Sequence, residues 1–181
     1  IILVNTKMIK KFGIIGNPIK HSLSPTLHNY WFQKYNINAE YSLIDINENE
    51  IKNLIARIKN KEISGLNITL PFKQKIVPHV DVLVNDAEIT SSVNTIYLDE
   101  ENTLVGENTD VFGMQAAYLK EVDNTAKKNA LVIGAGGVSP SIILSLQKSG
   151  LKNISIVNRT MEKCIFLKKK FGDLKILSWD K

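Results

Sequence analysis

Cysteine is nearly absent. Cys164 stands alone in 181 residues, which excludes an internal disulfide framework and fits a reducing compartment such as the cytoplasm. Histidine is scarce as well: His21, His28 and His79 have no zinc-ligand spacing with Cys164, so a metal site has little support and none is expected. No apolar stretch reaches the roughly 18 to 20 residues that span a bilayer. The opening Ile-Ile-Leu-Val is also too short for the apolar core of a signal peptide. Long runs of one charge are missing too. Lys168-Lys-Lys170 is the only compact one and lacks interleaved aromatics, so the net charge of +5 reads as solvated helix faces rather than a nucleic-acid stripe. A positive field does favour small anionic ligands, such as a carboxylic acid or a phosphorylated cofactor.

What is present is enough to fold. With 44% hydrophobic residues, the chain can bury a core as one large domain or two small ones. Apolar runs predict strands at 12–16, 40–45, 63–70, 92–98 and 103–106, and apolar periodicity predicts helices at 25–36 and 48–59. This is an α/β alternation. Asp99-Glu-Glu-Asn102 separates two strands at hairpin length, which predicts a mixed sheet with an antiparallel pair at an edge. Trp31 and Phe32 mark the expected buried face of the first helix. A helix at 110–121 precedes the polar connector 123–129, where the domain boundary is placed. Beyond it, strand 130–134, helix 138–149, strand 154–157, helix 161–171 and strand 174–177 form a β-α-β-α-β unit, the first half of a Rossmann-type nucleotide-binding domain. The expected domains are therefore 8–122 and 123–181. Met8 is the more natural start, so residues 1–7 are read as an extension.

Four segments carry chemistry. In Gly65-Leu-Asn-Ile-Thr-Leu-Pro-Phe-Lys73, Asn67, Thr69 and Lys73 project from an apolar run that Pro71 terminates, which places polar groups at the carboxyl end of a strand, where open α/β sheets bind ligands. Asn108-Thr109-Asp110 supplies a carboxylate ahead of a helix. Gly134-Ala135-Gly136-Gly137-Val138 follows an apolar strand and opens a helix. Gly134 permits a tight turn, and Gly136 lets backbone N–H groups approach a pyrophosphate. At the end of the next strand, where an NAD site has an acidic residue, Asn158-Arg159-Thr160 with Lys163 offers donors and positive charge suited to a 2′-phosphate. Each segment also has a plain structural reading: a strand-to-helix turn, a surface lysine or arginine, a helix-capping aspartate at 110, and a helix cap at Asn158 or Thr160. Ser24 followed by Pro25 likewise reads as an N-cap and first-turn pair.

From Met8-Ile-Lys-Lys-Phe-Gly-Ile-Ile-Gly-Asn-Pro-Ile-Lys-His-Ser-Leu-Ser-Pro25 onward, these segments resemble the shikimate dehydrogenase family in order and spacing. The resemblance implies a substrate-binding α/β domain followed by a Rossmann domain, NADP as cofactor, and reduction of 3-dehydroshikimate to shikimate in the chorismate pathway of aromatic amino-acid biosynthesis. It also implies Lys73 and Asp110 as the catalytic pair, with Lys73 as general acid/base. Substrate contacts would come from Ser22, Ser24, Asn67, Thr69, Lys73, Asn94 and Asp110, and cofactor contacts from 134–138, Asn158, Arg159, Thr160 and Lys163. The partner expected is this small molecule, with no nucleic acid or membrane, and both monomer and homodimer stay open. The rival readings are a quinate/shikimate dehydrogenase using NAD and a truncated ligand-binding remnant. The family's second Rossmann half has no counterpart here, so little activity is expected of these 181 residues alone.

Overall fold

The computed structural model describes residues 8–122 and 128–180; the expected extension at 1–7 and residues 123–127 of the connector lie outside them. Two compact units emerge. One holds the chain up to Leu83 together with Val93–Gly106, and the other holds Val84–Ser92 and the chain from Glu107 onward.

The first unit is built on a six-stranded sheet. Its elements are β1 (Lys10–Gly16), α1 (Ser24–Lys34), β2 (Ala39–Asp45), α2 (Ile51–Lys59), β3 (Gly65–Ile68), β4 (Val82–Val84), β5 (Thr95–Leu98) and β6 (Leu104–Glu107), with strand order β2-β1-β3-β5-β6-β4. β1 runs parallel to both β2 and β3, while β5 runs antiparallel to β3, pairing Asn67 with Thr95. The carboxyl ends of β1 and β3 and the amino end of β5 therefore meet at one end of the sheet. α2 buries Ile51, Leu54, Ile55 and Ile58, an i, i+3, i+4, i+7 stripe. Burying each such side chain is worth roughly 1.5–3 kcal/mol against leaving it in water, so Ile58→Ala is the change that would loosen this layer most directly.

The sheet is mixed, as the hairpin spacing predicts, but the β5–β6 pair is not its edge. β4, a three-residue strand that the sequence pattern misses, lies outside β6. The first helix also departs from expectation. α1 has no fully buried residue; Phe32 packs against Phe12 at 5.8 Å between ring centroids, whereas Trp31 is 42% exposed. Hydrogen bonds fasten the helix instead: the Asn29 amide donates to the Tyr41 carbonyl and accepts from the Tyr41 N–H, both at 2.9 Å, pinning α1 to β2.

The second unit contains α3 (Asp86–Thr90), α4 (Asp110–Ala117), β7 (Asn129–Ile133), α5 (Ser139–Lys148), β8 (Asn153–Val157), α6 (Met161–Phe171) and β9 (Leu174–Leu177). β7, β8 and β9 form a parallel sheet in sequence order. Ile143, Leu146, Ile154, Ile156, Cys164, Leu167 and Leu174 make its core, together with Leu119. Burial raises the Cys164 thiol pKa, so the lone cysteine is a packing residue in its protonated form. The segment 110–121, grouped by sequence with the first domain, packs here: Ser145 donates to the Val111 carbonyl at 3.1 Å, and Met114 and Leu119 join the core.

Candidate functional site

At the carboxyl end of β1, chain approach is close. A Cβ added to Gly16 would stand 2.6 Å from Thr69 Cγ2, so glycine is required for the strand to pass the segment after β3. Main-chain bonds lock the two together: the Thr69 N–H donates to the Ile15 carbonyl at 2.9 Å and the Asn17 N–H to the Leu70 carbonyl at 3.0 Å. Phe72 and Ile76, both fully buried, anchor the turn that carries half-buried Lys73, whose carbonyl accepts the Val93 N–H at 2.8 Å. The same end receives Asn94, whose carbonyl accepts the Ile68 N–H at 2.8 Å. Asn67, Thr69, Lys73 and Asn94 are thus held on one set of strand ends.

Ser22 and Ser24 follow β1. The helix begins at Ser24 with Leu23 as its cap residue, so the expected serine cap does not form. The hydroxyls are instead engaged with each other: Ser22 Oγ donates to Ser24 Oγ at 3.1 Å, and the Ser24 N–H donates back to Ser22 Oγ at 3.3 Å. A residue that motif reading did not single out, Tyr41, brings its hydroxyl to Asn67. That hydroxyl donates to Asn67 Oδ1 at 2.7 Å, and Asn67 Nδ2 donates to the Asn94 carbonyl at 3.3 Å and Thr95 Oγ1 at 3.1 Å. Burial pushes the Tyr41 phenol up to about 12, with Ser24 opposing more weakly, so the phenol keeps its proton at neutral pH. The available signal for Tyr41 was its place in an alternating strand, because a tyrosine turned inward needs a partner for its hydroxyl.

In the second unit, half-buried Asp110 opens α4, with Thr109 as cap residue and no side-chain cap. Its N–H donates to Asn108 Oδ1 at 3.0 Å. Asn108 is buried and itself held by Thr90, Ser92 and Ser141, its Nδ2 lying 2.8 Å from the Ser92 carbonyl and 2.9 Å from Ser141 Oγ. The aspartate therefore starts from a rigid point.

The glycine turn links β7 to α5. Gly134 has φ +103°, a conformation that strains residues with a Cβ, and a Cβ on Gly136 would enter open space, where a ligand can approach. Ser139 fastens the turn by accepting the Gly136 N–H and donating to the Gly134 carbonyl, both at 3.0 Å; Ser92 donates to the Gly137 carbonyl at 2.9 Å. Asn158 accepts the Ala135 N–H at 3.1 Å and donates to the Thr160 carbonyl at 2.8 Å, clasping the turn to the end of β8. Val138 is the cap residue of α5 and Thr160 that of α6, in each case without a side-chain cap bond. Arg159, Thr160 and Lys163 are exposed beside this clasp. A strand, a tight glycine turn and a helix N-terminus form an anion-binding arrangement, and exposed cations nearby suit a further phosphate.

Comparison with known proteins covers both units. Residues 14–96 match the shikimate dehydrogenase substrate binding domain, and residues 116–180 match shikimate / quinate 5-dehydrogenase. A shikimate dehydrogenase (NADP(+)) of Pelagibacter ubique is 49% identical over 172 residues, which make up 95% of this chain and 64% of that protein. The crystal structure of shikimate dehydrogenase from Aquifex aeolicus superposes with a TM-score of 0.86 at 36% identity, covering 93% of this chain and 62% of that one. The enzyme of Thermus thermophilus, solved in complex with shikimate, gives a TM-score of 0.83 at 30% identity over 93% of this chain and 63% of its own. The chain thus spans just under two thirds of the length of these relatives.

Proposed function

Because this chain belongs to the shikimate dehydrogenase family, we propose that its protein catalyses the NADPH-dependent reduction of 3-dehydroshikimate to shikimate. The observation that supports this most is the hydrogen-bonded set of Tyr41, Asn67 and Asn94 at the strand ends that also carry Thr69 and the Lys73 turn, with the paired Ser22 and Ser24 hydroxyls following β1. An alicyclic acid with several hydroxyls needs this combination: hydroxyl donors for a carboxylate, and amides and a threonine for ring hydroxyls. Ser22 and Ser24 take the carboxylate, and Asn67, Thr69 and Asn94 take the hydroxyls.

NADPH, when bound, supplies a hydride to the ring ketone carbon. As the carbonyl π pair moves onto oxygen, the Lys73 ammonium donates a proton to it. General acid catalysis of this kind contributes about 10²- to 10⁴-fold, or about 3 to 5 kcal/mol of barrier. Asp110, by its match to the family, is the second member of the catalytic pair and accepts a substrate hydroxyl. The turn at 134–138 receives the pyrophosphate, and Arg159 with Thr160 and Lys163 receives the 2′-phosphate. In this reading residues 8–122 serve substrate and catalysis, and residues from 123 onward serve the nucleotide.

Arg159 is exposed where an NAD-dependent quinate/shikimate enzyme would have an acid, which favours NADP. The test is a rate comparison on the natural-length protein, with NADPH or NADH as donor and 3-dehydroshikimate or 3-dehydroquinate as acceptor. The NADPH and 3-dehydroshikimate combination is expected to be the fastest. Faster turnover with NADH and 3-dehydroquinate would favour the rival instead.

A further inference from the structure

The hydrogen bonds around Tyr41 have a direction that chemistry fixes. A main-chain carbonyl can only accept, so the end of the Asn67 amide that faces the Asn94 carbonyl must be its NH2. Oδ1 is then turned toward Tyr41, and because a carboxamide oxygen only accepts, the phenol must donate to it at 2.7 Å. At the other end Asn67 donates to Thr95 Oγ1, and Thr95 donates to Asn94 Oδ1 at 3.1 Å. One directional chain therefore runs Tyr41, Asn67, Thr95, Asn94, and such chains strengthen their members cooperatively.

The consequence falls on Asn67. Both of its N–H bonds are spent inside the protein, leaving one lone pair on Oδ1. It can accept from a ligand hydroxyl but has no donor left to offer. Tyr41 is well placed to keep it so: its ring stacks on His28 at 4.2 Å with 4° between planes, Asn29 clamps its main chain from both sides, and it is 5% exposed. We propose that Tyr41 is a positioning residue that fixes the Asn67 amide as a hydroxyl acceptor in the substrate site. This rests on the shikimate reading of the site and adds to it a residue that acts through Asn67 without touching the reacting atoms.

The test uses the natural-length protein and a double-mutant cycle of Tyr41→Phe and Asn67→Ala, with steady-state KM and kcat for shikimate oxidation by NADP. Tyr41→Phe keeps the ring and its stack on His28 and removes only the hydroxyl. The expected result is a KM for shikimate raised about five- to tenfold, the loss due to one well-formed hydrogen bond, with KM for NADP unchanged. In the double variant the loss should equal that of Asn67→Ala alone, because Tyr41 acts through that amide. Losses that multiply, a shikimate KM within about twofold of the parent, or an equal rise in the KM for NADP would each overturn the proposal. A parent that does not oxidise shikimate with NADP would sink the enzyme reading and this proposal with it, whereas an active parent with multiplying losses sinks the proposal alone.

Discussion

Lys73 has its main chain fixed and its charge on a flexible stem. Phe72 and Ile76 anchor the turn, and the Val93 N–H holds the Lys73 carbonyl, so the turn is fixed through groups other than the Lys73 side chain. Lys73→Ala is expected to lower turnover at least about 100-fold while leaving NADPH affinity and unfolding temperature near those of the parent. Unchanged turnover would remove Lys73 from the mechanism. Asp81 illustrates a different residue-level effect. Its carboxylate accepts the Leu104 N–H and the Lys59 ammonium, each at 2.9 Å, and these bonds, the Leu104 one foremost, lower its pKa from 3.8. A carboxylate with a depressed folded pKa favours the folded state above its unfolded pKa, and that contribution is lost as pH falls below 3.8 through the lower folded value. Asp81→Asn keeps an acceptor but loses the charge, so its melting temperature should lie below the parent's at pH 6 and converge on it in acid. A gap that stays constant down to pH 2 would contradict this.

Among the elements, legibility followed length and periodicity. β1, β2, β8, α6 and β9 follow one apolar pattern over their length, and the structure places them within two residues of expectation, whereas α2 begins three residues later than expected, at Ile51. β4 and α3 have three and five residues, too few to show a period. α3 is bracketed by Asn85 at φ +54° and Ser91 at φ +47° and tied by Lys148 to Asp86 at 2.5 Å. Contacts distant in sequence define such elements, and a local window cannot see them. The same holds for the site. The glycine turn was legible because strand, turn and helix are contiguous, whereas Tyr41 reaches Asn67 across 26 positions and looks like any strand aromatic. The β8–α6 junction gives an element-level prediction. Asn158 is engaged in its clasp on Ala135 and Thr160, and the fixed positive charge beside it is the exposed Arg159, which the proposed function assigns to the 2′-phosphate. Arg159→Ala should raise the KM for NADP about tenfold or more and leave the KM for NAD nearly unchanged. Equal effects on both would show that Arg159 does not read the 2′-phosphate.

At the scale of the whole molecule, the chain combines two units with separate cores and separate polar equipment. The first gathers hydroxyl and amide groups with a lysine, and the second presents a glycine turn at a helix N-terminus beside exposed cations. Among the described residues, no helix is long and apolar enough to cross a membrane. A net charge of +5 suits two anionic ligands, a carboxylic acid and a triply phosphorylated dinucleotide. The proposed reaction passes a hydride from NADPH to the ring ketone of 3-dehydroshikimate. The most direct test incubates the natural-length protein with 3-dehydroshikimate and NADPH deuterated at the transferable C4 position, and follows the products by NMR. The account predicts one NADP⁺ formed per shikimate, with deuterium on the ring carbon that bore the ketone. NADPH left unconsumed, or shikimate formed without deuterium, would contradict it.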